Sequence, residues 1–142
     1  MSITQALCTS FKKEVLEAVH DFTSHTFKIA LYTSAAALNE ATTAYTATGE
    51  VVGTAYTAAG KDLTVTGGAV SVSGTTVYVD FSDVTWASST ITARGAIIYN
   101  DSIAGDPAVA VLDFGLDKIT TAENFVVTFP TASATSAIVR LV

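Results

Sequence analysis

The residues able to do chemistry in this 142-residue chain are few: two histidines, one cysteine, and thirteen carboxylates against seven basic side chains. His20 and His25 stand five residues apart and offer at most two metal ligands with no evident third. Surface or capping roles are expected for them, and no metal site. Asp80 with Asp83, and Asp101 with Asp106, flank turns and supply the oxygens calcium prefers. Neither pair follows the spaced acidic pattern of an EF-hand, so Asx turns are expected. Asp113-Phe114-Gly115 spells the magnesium motif of kinases, without the glycine-rich loop, strand lysine or His-Arg-Asp loop that would accompany it. It is predicted to be a strand end followed by a glycine turn. No serine lies in a G-x-S-x-G elbow, and nothing selects a pair of carboxylates for glycosidase work. The expectation is a protein without catalytic residues or cofactor. One further possibility is a sugar-binding groove lined by Trp86 with Tyr32, Tyr45, Tyr56, Tyr78 and Tyr99. Aromatics on strands more often fill cores or interfaces.

Composition points to burial against partners. Apolar residues make up 49% and charged residues 14% of the chain, and Thr, Ser, Ala and Gly must supply much of the surface. A solvated monomer generally carries more charge, which implies surface buried on other subunits or on a larger particle. A net charge of −6 leaves nothing to neutralise phosphates, so no nucleic-acid partner is expected. Cys8 alone excludes an intrachain disulfide framework, and packing is its expected role. No apolar run approaches a membrane span, and the start MSITQALCTSFKK lacks the pattern of a secretory signal. Synthesis and folding in a cytoplasm, without a membrane partner, are expected.

The elements that must position these residues are mostly strands. Residues 2–22 carry the one helical pattern, with Ile3, Leu7, Phe11, Val15, Ala18 and Phe22 spaced three or four apart. Ser10 is a candidate N-cap for a break near Thr9, and His20 and Asp21 close the helix. A strand at Phe27–Tyr32 turns Phe27, Ile29 and Leu31 inward, and residues 33–60 form a long Ala/Thr-rich excursion. Within it, Ala35 to Glu40 has the makings of one helical turn, and a short strand lies near Glu50 to Val52. Leu63 to Thr66 and Ala69 to Val72, around Gly67-Gly68, read as a hairpin. Residues 76–81 alternate as a half-buried strand, and a Trp86-bearing connection leads to a strand at 91–99 that is apolar on both faces. Arg94 interrupts that strand and is expected to meet a carboxylate or a partner chain. A loop at 100–107, a doubly buried strand at 108–114, a loop at 115–124, and strands at 125–129 and 136–142 complete the chain. One N-terminal amphipathic helix (1–24) followed by short strands (26–142) predicts a single mainly β domain, an antiparallel β-sandwich or jelly-roll-like fold.

Several blocks carry a resemblance. Ser10 to Glu14 (SFKKE), Phe27 to Ser34 (FKIALYTS), Thr43 to Thr46 (TAYT), Asp80 to Asn100 and Ala108 to Lys118 resemble small virion structural proteins of tailed bacteriophages, as do Phe129 to Ala132 and Ala137 to Arg140. The likeness covers most of the chain outside 51–75. It implies a virion component without catalytic residues. A head decoration (cement) protein is the reading favoured, made in the host bacterial cytoplasm and bound as a homotrimer to the major capsid protein or another virion protein. A tail tube, adaptor or baseplate role is the alternative. The partner interface is expected on the N-terminal helix and the excursion, at Phe11, Val15, Phe22, Leu38, Tyr45 and Tyr56.

Overall fold

A computed structural model describes residues 2–142. The fold is mainly β and sandwich-like, with antiparallel sheets and, among the described residues, one α-helix near the N-terminus. The chain runs β1 (Ala6–Leu7), α1 (Thr9–Leu16), β2 (Phe27–Tyr32), β3 (Lys61–Asp62), β4 (Ser71–Ser73), β5 (Thr76–Val79), β6 (Val84–Asn100), β7 (Ala108–Val127) and β8 (Val139–Leu141). A five-stranded sheet has the order β1-β7-β6-β2-β3, and a three-stranded sheet the order β4-β5-β8.

The centre is the β6–β7 hairpin. Ala96 to Asn100 and Ala108 to Val111 are buried on both faces, as the unbroken apolar runs require, and β2 pairs β6 from Phe27↔Asn100 to Tyr32↔Gly95. β2 is likewise buried on both faces, where inward burial of Phe27, Ile29 and Leu31 alone was expected, because Ala30 and Tyr32 also enter the core. Gly95 permits this closeness: a Cβ there would stand 2.4 Å from the Leu112 carbonyl oxygen.

Residues 115–124, expected as a loop, continue β7, and Trp86 sits within β6 rather than in a connection. The missed signal is irregular pairing. Gly95↔Asp113 is followed by Ala93↔Lys118, so residues 114–117 bulge out of the ladder. Ser88 and Ala122 adopt φ of 50° and 52° where the two strands face each other. The ribbon folds back there. Lys118 Nζ donates to the carbonyl of Val126, eight residues farther along the same strand, a gap of about 26 Å had the strand stayed straight.

The helix is far shorter than the 2–22 stripe predicts. Ile3 bridges Leu38, and Ala6–Leu7 pairs with Val111 and Ala110 of β7, so tertiary pairing draws these apolar residues into extended chain. Cys8, not Ser10, is the N-cap residue, without a side-chain cap bond, and the Ser10 hydroxyl is buried without a partner. The helix ends in a Schellman arrangement: Val19 N–H donates to Glu14 O, Ala18 N–H to Val15 O, and Ala18 adopts φ 60°. An alanine in the position glycine usually takes left no sign of this stop, well before His20 and Asp21.

Two other expectations shift. Gly67-Gly68 lies in a short 3₁₀ turn (Thr66–Gly68), not in a hairpin loop. The hairpin joins β4 to β5 around Gly74-Thr75, where Ser73 pairs with Thr76, while Val65 bridges Phe81. Residues 35–40 make turns and a bridge but no helix, and Glu50 forms an isolated bridge to Tyr32 in place of a strand at 50–52.

An aromatic file binds the parts together. Phe11 packs edge-on to Phe22, Phe22 stacks on Phe27 at 4.4 Å, and Phe27, Phe81 and Phe129 follow at 6.0 Å intervals. It runs from α1 through β2 to the chain flanking the three-stranded sheet, whose Val79 and Val139 complete the same core.

Candidate functional site

The six residues expected to contact a partner pack within the chain, Phe11 and Leu38 buried and Val15, Phe22, Tyr45 and Tyr56 partly buried against the core. Phe11 and Leu38 are 2% and 3% exposed, and Phe22 lies on Phe27. Val15 is partly buried and packs against the core. The apolar stripe of α1 finds its complement in this chain's own sheet, leaving Leu16 as the exposed apolar residue of that helix.

Tyr45 and Tyr56 are held by Glu50. Tyr45 Oη donates to Glu50 Oε2 at 2.7 Å, Tyr56 Oη to Oε1 at 2.6 Å, and the Ala59 amide to Oε1 at 2.8 Å. Tyr56 Oη also accepts from the Leu31 amide, Tyr99 Oη donates to Ala59 O, and Tyr32 Oη to Thr46 O. The network fastens the 33–60 excursion to β2 and β6. Burial raises the phenol of Tyr45 to about 12, aided by the Glu50 carboxylate, and raises Tyr32, Tyr56 and Tyr99 as well. Trp86 is 1% exposed, under the Lys61 ammonium and between Tyr56 and Phe125. It has no face to offer a sugar ring, and the sugar-groove reading falls with it.

The candidate ligands divide into structural roles. The His20 side chain is fully buried rather than at the surface, and both imidazoles meet the carboxamide of Asn100. Among the described residues no three His, Cys, Asp or Glu side chains converge on a metal-sized point. Asp83 accepts from the Phe129 amide, and Asp101 lies 3.7 Å from Lys28 Nζ. Asp80 is 2% exposed; Oδ1 accepts from the Phe81 amide, Oδ2 has no partner, and burial raises its carboxyl above the usual range. Cys8 is fully buried, and burial pushes its thiol up to about 11, away from nucleophilic use.

Arg94 meets a carboxylate, as expected: its Nε lies 3.3 Å from Asp113 Oδ1. The same oxygen accepts from the Gly115 amide, and this bond, with Arg94, holds Asp113 below the usual carboxylate range. Asp113-Phe114-Gly115 thus runs from the last regular pair into the bulge within β7 and is not a strand end. Beside it runs an open groove of about 720 Å³ between β1, the folded-back β7 and residues 128–138. Its charged side chains, Asp113 and Lys118, are both engaged, the latter on the Val126 carbonyl and over the Phe125 ring.

One apolar row stands open at the surface. Val72 pairs with Val77, and Val77 with Leu141, so the three side chains stand in a row across β4, β5 and β8. Val72 is 70% and Leu141 57% exposed. Val79 and Val139 lie on the same face, two residues along, and are buried. One sheet face is therefore half core and half uncovered. The Ser71-Val72-Ser73 alternation marked that row in the sequence, but the hairpin expected around Gly67-Gly68 hid its register.

No family model, curated protein or solved structure matches the chain. No helix among the described residues is long and apolar enough to cross a membrane.

Proposed function

We propose that the chain is a structural component of a tailed-phage virion, a head decoration protein that binds the major capsid protein as a homotrimer and stiffens the shell. The resemblance of its sequence blocks supports the virion assignment. The structural observation that carries the reading is the uncovered apolar row Val72, Val77 and Leu141, which continues the core face of the three-stranded sheet out to the surface. An apolar sheet face that continues out of the core is a surface for another protein to complete. The work is mechanical rather than catalytic. Each copy contributes a modest contact, and repetition over the shell multiplies it.

Gold-labelled antibody on purified particles, viewed by electron microscopy, tests the placement. Label over the head is expected, with occupancy reduced for the Val72→Ser/Leu141→Ser double variant. Label confined to the tail would replace this reading with the tail component. Absence of label on intact particles, with an antibody verified on the native protein, would remove the chain from the virion.

A further inference from the structure

Two imidazoles from one loop converge on a single buried amide, an arrangement with strict proton requirements. Asn100, at the end of β6, is 0% exposed. Its Oδ1 accepts from the Ser102 amide at 2.9 Å, which sets the orientation of the carboxamide and turns Nδ2 toward the histidines. Nδ2 lies 3.1 Å from His20 Nδ1 and 3.0 Å from His25 Nδ1. A primary amide nitrogen has two hydrogens and no lone pair to offer, so both Nδ1 atoms must accept. The Asp21 amide, which donates to the same His25 Nδ1 at 3.2 Å, demands the same tautomer independently. His20 Nε2 then carries the proton and faces Glu14 Oε1 at 3.4 Å.

We propose that His20, His25 and Asn100 form a proton-released latch, closed while both imidazoles are neutral, that pins residues 17–26 and the end of α1 against the β6–β7 turn. Protonating either ring places N–H against N–H and opens it. The charged and titratable groups around the latch are Glu14 from α1, Asp21 from the same loop, and Asp101 with Lys28 from the β6 end and β2. Asp21 is held down to about 2, first by the Thr23 hydroxyl and then by Ser24, and stays a carboxylate throughout the histidine range. Burial lowers His20 from its ordinary value, and the opposing pull of Glu14 is the smaller effect. A folded-state value below the unfolded one means that the latch contributes fully above about pH 6.5 and is lost as the pH falls beneath it. Release frees Phe22 from Phe27 and loosens the loop, while the β2–β6–β7 core has no titrating histidine to disturb it.

The full chain tests this by ¹⁵N spectroscopy of the histidines together with amide hydrogen exchange, corrected for the intrinsic rate at each pH. Unprotonated Nδ1 on both rings at pH of about 8, and an order of tenfold loss of protection in residues 18–26 by pH of about 5 with the sheet unchanged, are expected. A protonated Nδ1 on either ring, a His20 titration at or above that of free histidine, or protection that does not change with pH would overturn the latch. Asn100→Asp replaces the donor by an acceptor and should invert the dependence, tightening the loop as the pH falls. A folded Asn100→Asp protein that behaves as the wild type also overturns it; if that variant fails to fold, the wild-type spectra still decide.

Discussion

Glu50 is the residue on which the excursion depends, and replacing it tests whether that segment is fastened or merely draped. The carboxylate accepts from Tyr45 Oη, Tyr56 Oη and the Ala59 amide, all at 2.8 Å or less. Hydrogen bonds to a charged acceptor contribute about 1.5–3 kcal/mol each, so three give a gross loss of at least about 4.5 kcal/mol for Glu50→Ala. Tyr45 is only half-buried and recovers a water in part, which brings the expected net cost to about 3 kcal/mol. For a domain of this size that corresponds to a fall in Tm of roughly 10 °C. Glu50→Gln keeps an acceptor for two of the donors and should cost about 1 kcal/mol. Tyr56→Phe should cost more than Tyr45→Phe, because Tyr56 Oη also serves the Leu31 amide and its removal strands a donor on β2. Urea denaturation followed by circular dichroism measures each variant, and a Glu50→Ala/Tyr56→Phe cycle should show coupling on the order of 1–2 kcal/mol. A Glu50→Ala protein within about 0.5 kcal/mol of the wild type, or an additive cycle, would refute the fastening argument.

Two glycines with the same backbone hand should respond very differently to alanine. At Gly60 (φ +81°) a Cβ would lie 1.8 Å from the Ile29 carbonyl oxygen, whereas at Gly67 (φ +72°) nothing lies within 4 Å. Gly60→Ala is expected to lose more than about 3 kcal/mol and Gly67→Ala about 1–2 kcal/mol, by the same denaturation assay. The raised phenols predict alkaline unfolding. A group whose folded value is raised stabilises the fold below its unfolded value, about 10 for tyrosine, and that stability is lost as the pH climbs toward the folded value. Tyrosinate absorbance and loss of the circular dichroism signal should therefore rise together between pH of about 10 and 12; ionisation of these tyrosines in a still-folded protein would contradict their burial.

Long, locally consistent patterns were legible in the sequence, and corners were not. The apolar halves of β6 and β7 follow directly from runs that only a strand covered on both sides can satisfy, and β2 was legible as a strand, though with one inward face. The Arg94–Asp113 pair follows from a charge set in such a run. The folded-back ribbon escaped because its turns use Ser88 and Ala122 at positive φ rather than glycine, and the helix stop escaped because Ala18 does the same. Propensity assigns such residues no turn, and only pairing with distant chain holds them there. The spacing of three and four in residues 3–22 was real, yet an edge strand at Ala6–Leu7 uses the same residues as well as a helix would. For the site the order is reversed: the histidines were visible, but Asn100, 75 residues away from His25 and without any motif, gives them their shared constraint.

The sparse charge of the chain takes on a physical meaning in this fold. Lys61 donates to the Thr85 carbonyl, Lys118 to Val126, Asp83 accepts from Phe129, Arg94 and Asp113 join β6 to β7, and Glu50 anchors the excursion. Lys61, Lys118, Asp83 and Glu50 reach backbone groups at corners and loop roots, and Arg94 with Asp113 ties the two long strands through side chains. Exposed charges such as Lys12, Glu40, Asp62, Asp117 and Glu123 lie outside the three-stranded sheet, and Ser71 and Ser73 flank Val72 in its strand. A monomer free in solution gains nothing from leaving that row bare, since two half-exposed aliphatic side chains forgo about 1 kcal/mol each of burial. In an assembly the same row costs nothing once covered, and the scarcity of charge beside it removes the desolvation penalty that would oppose contact. That asymmetry favours covering the row by another protein surface over leaving it in water.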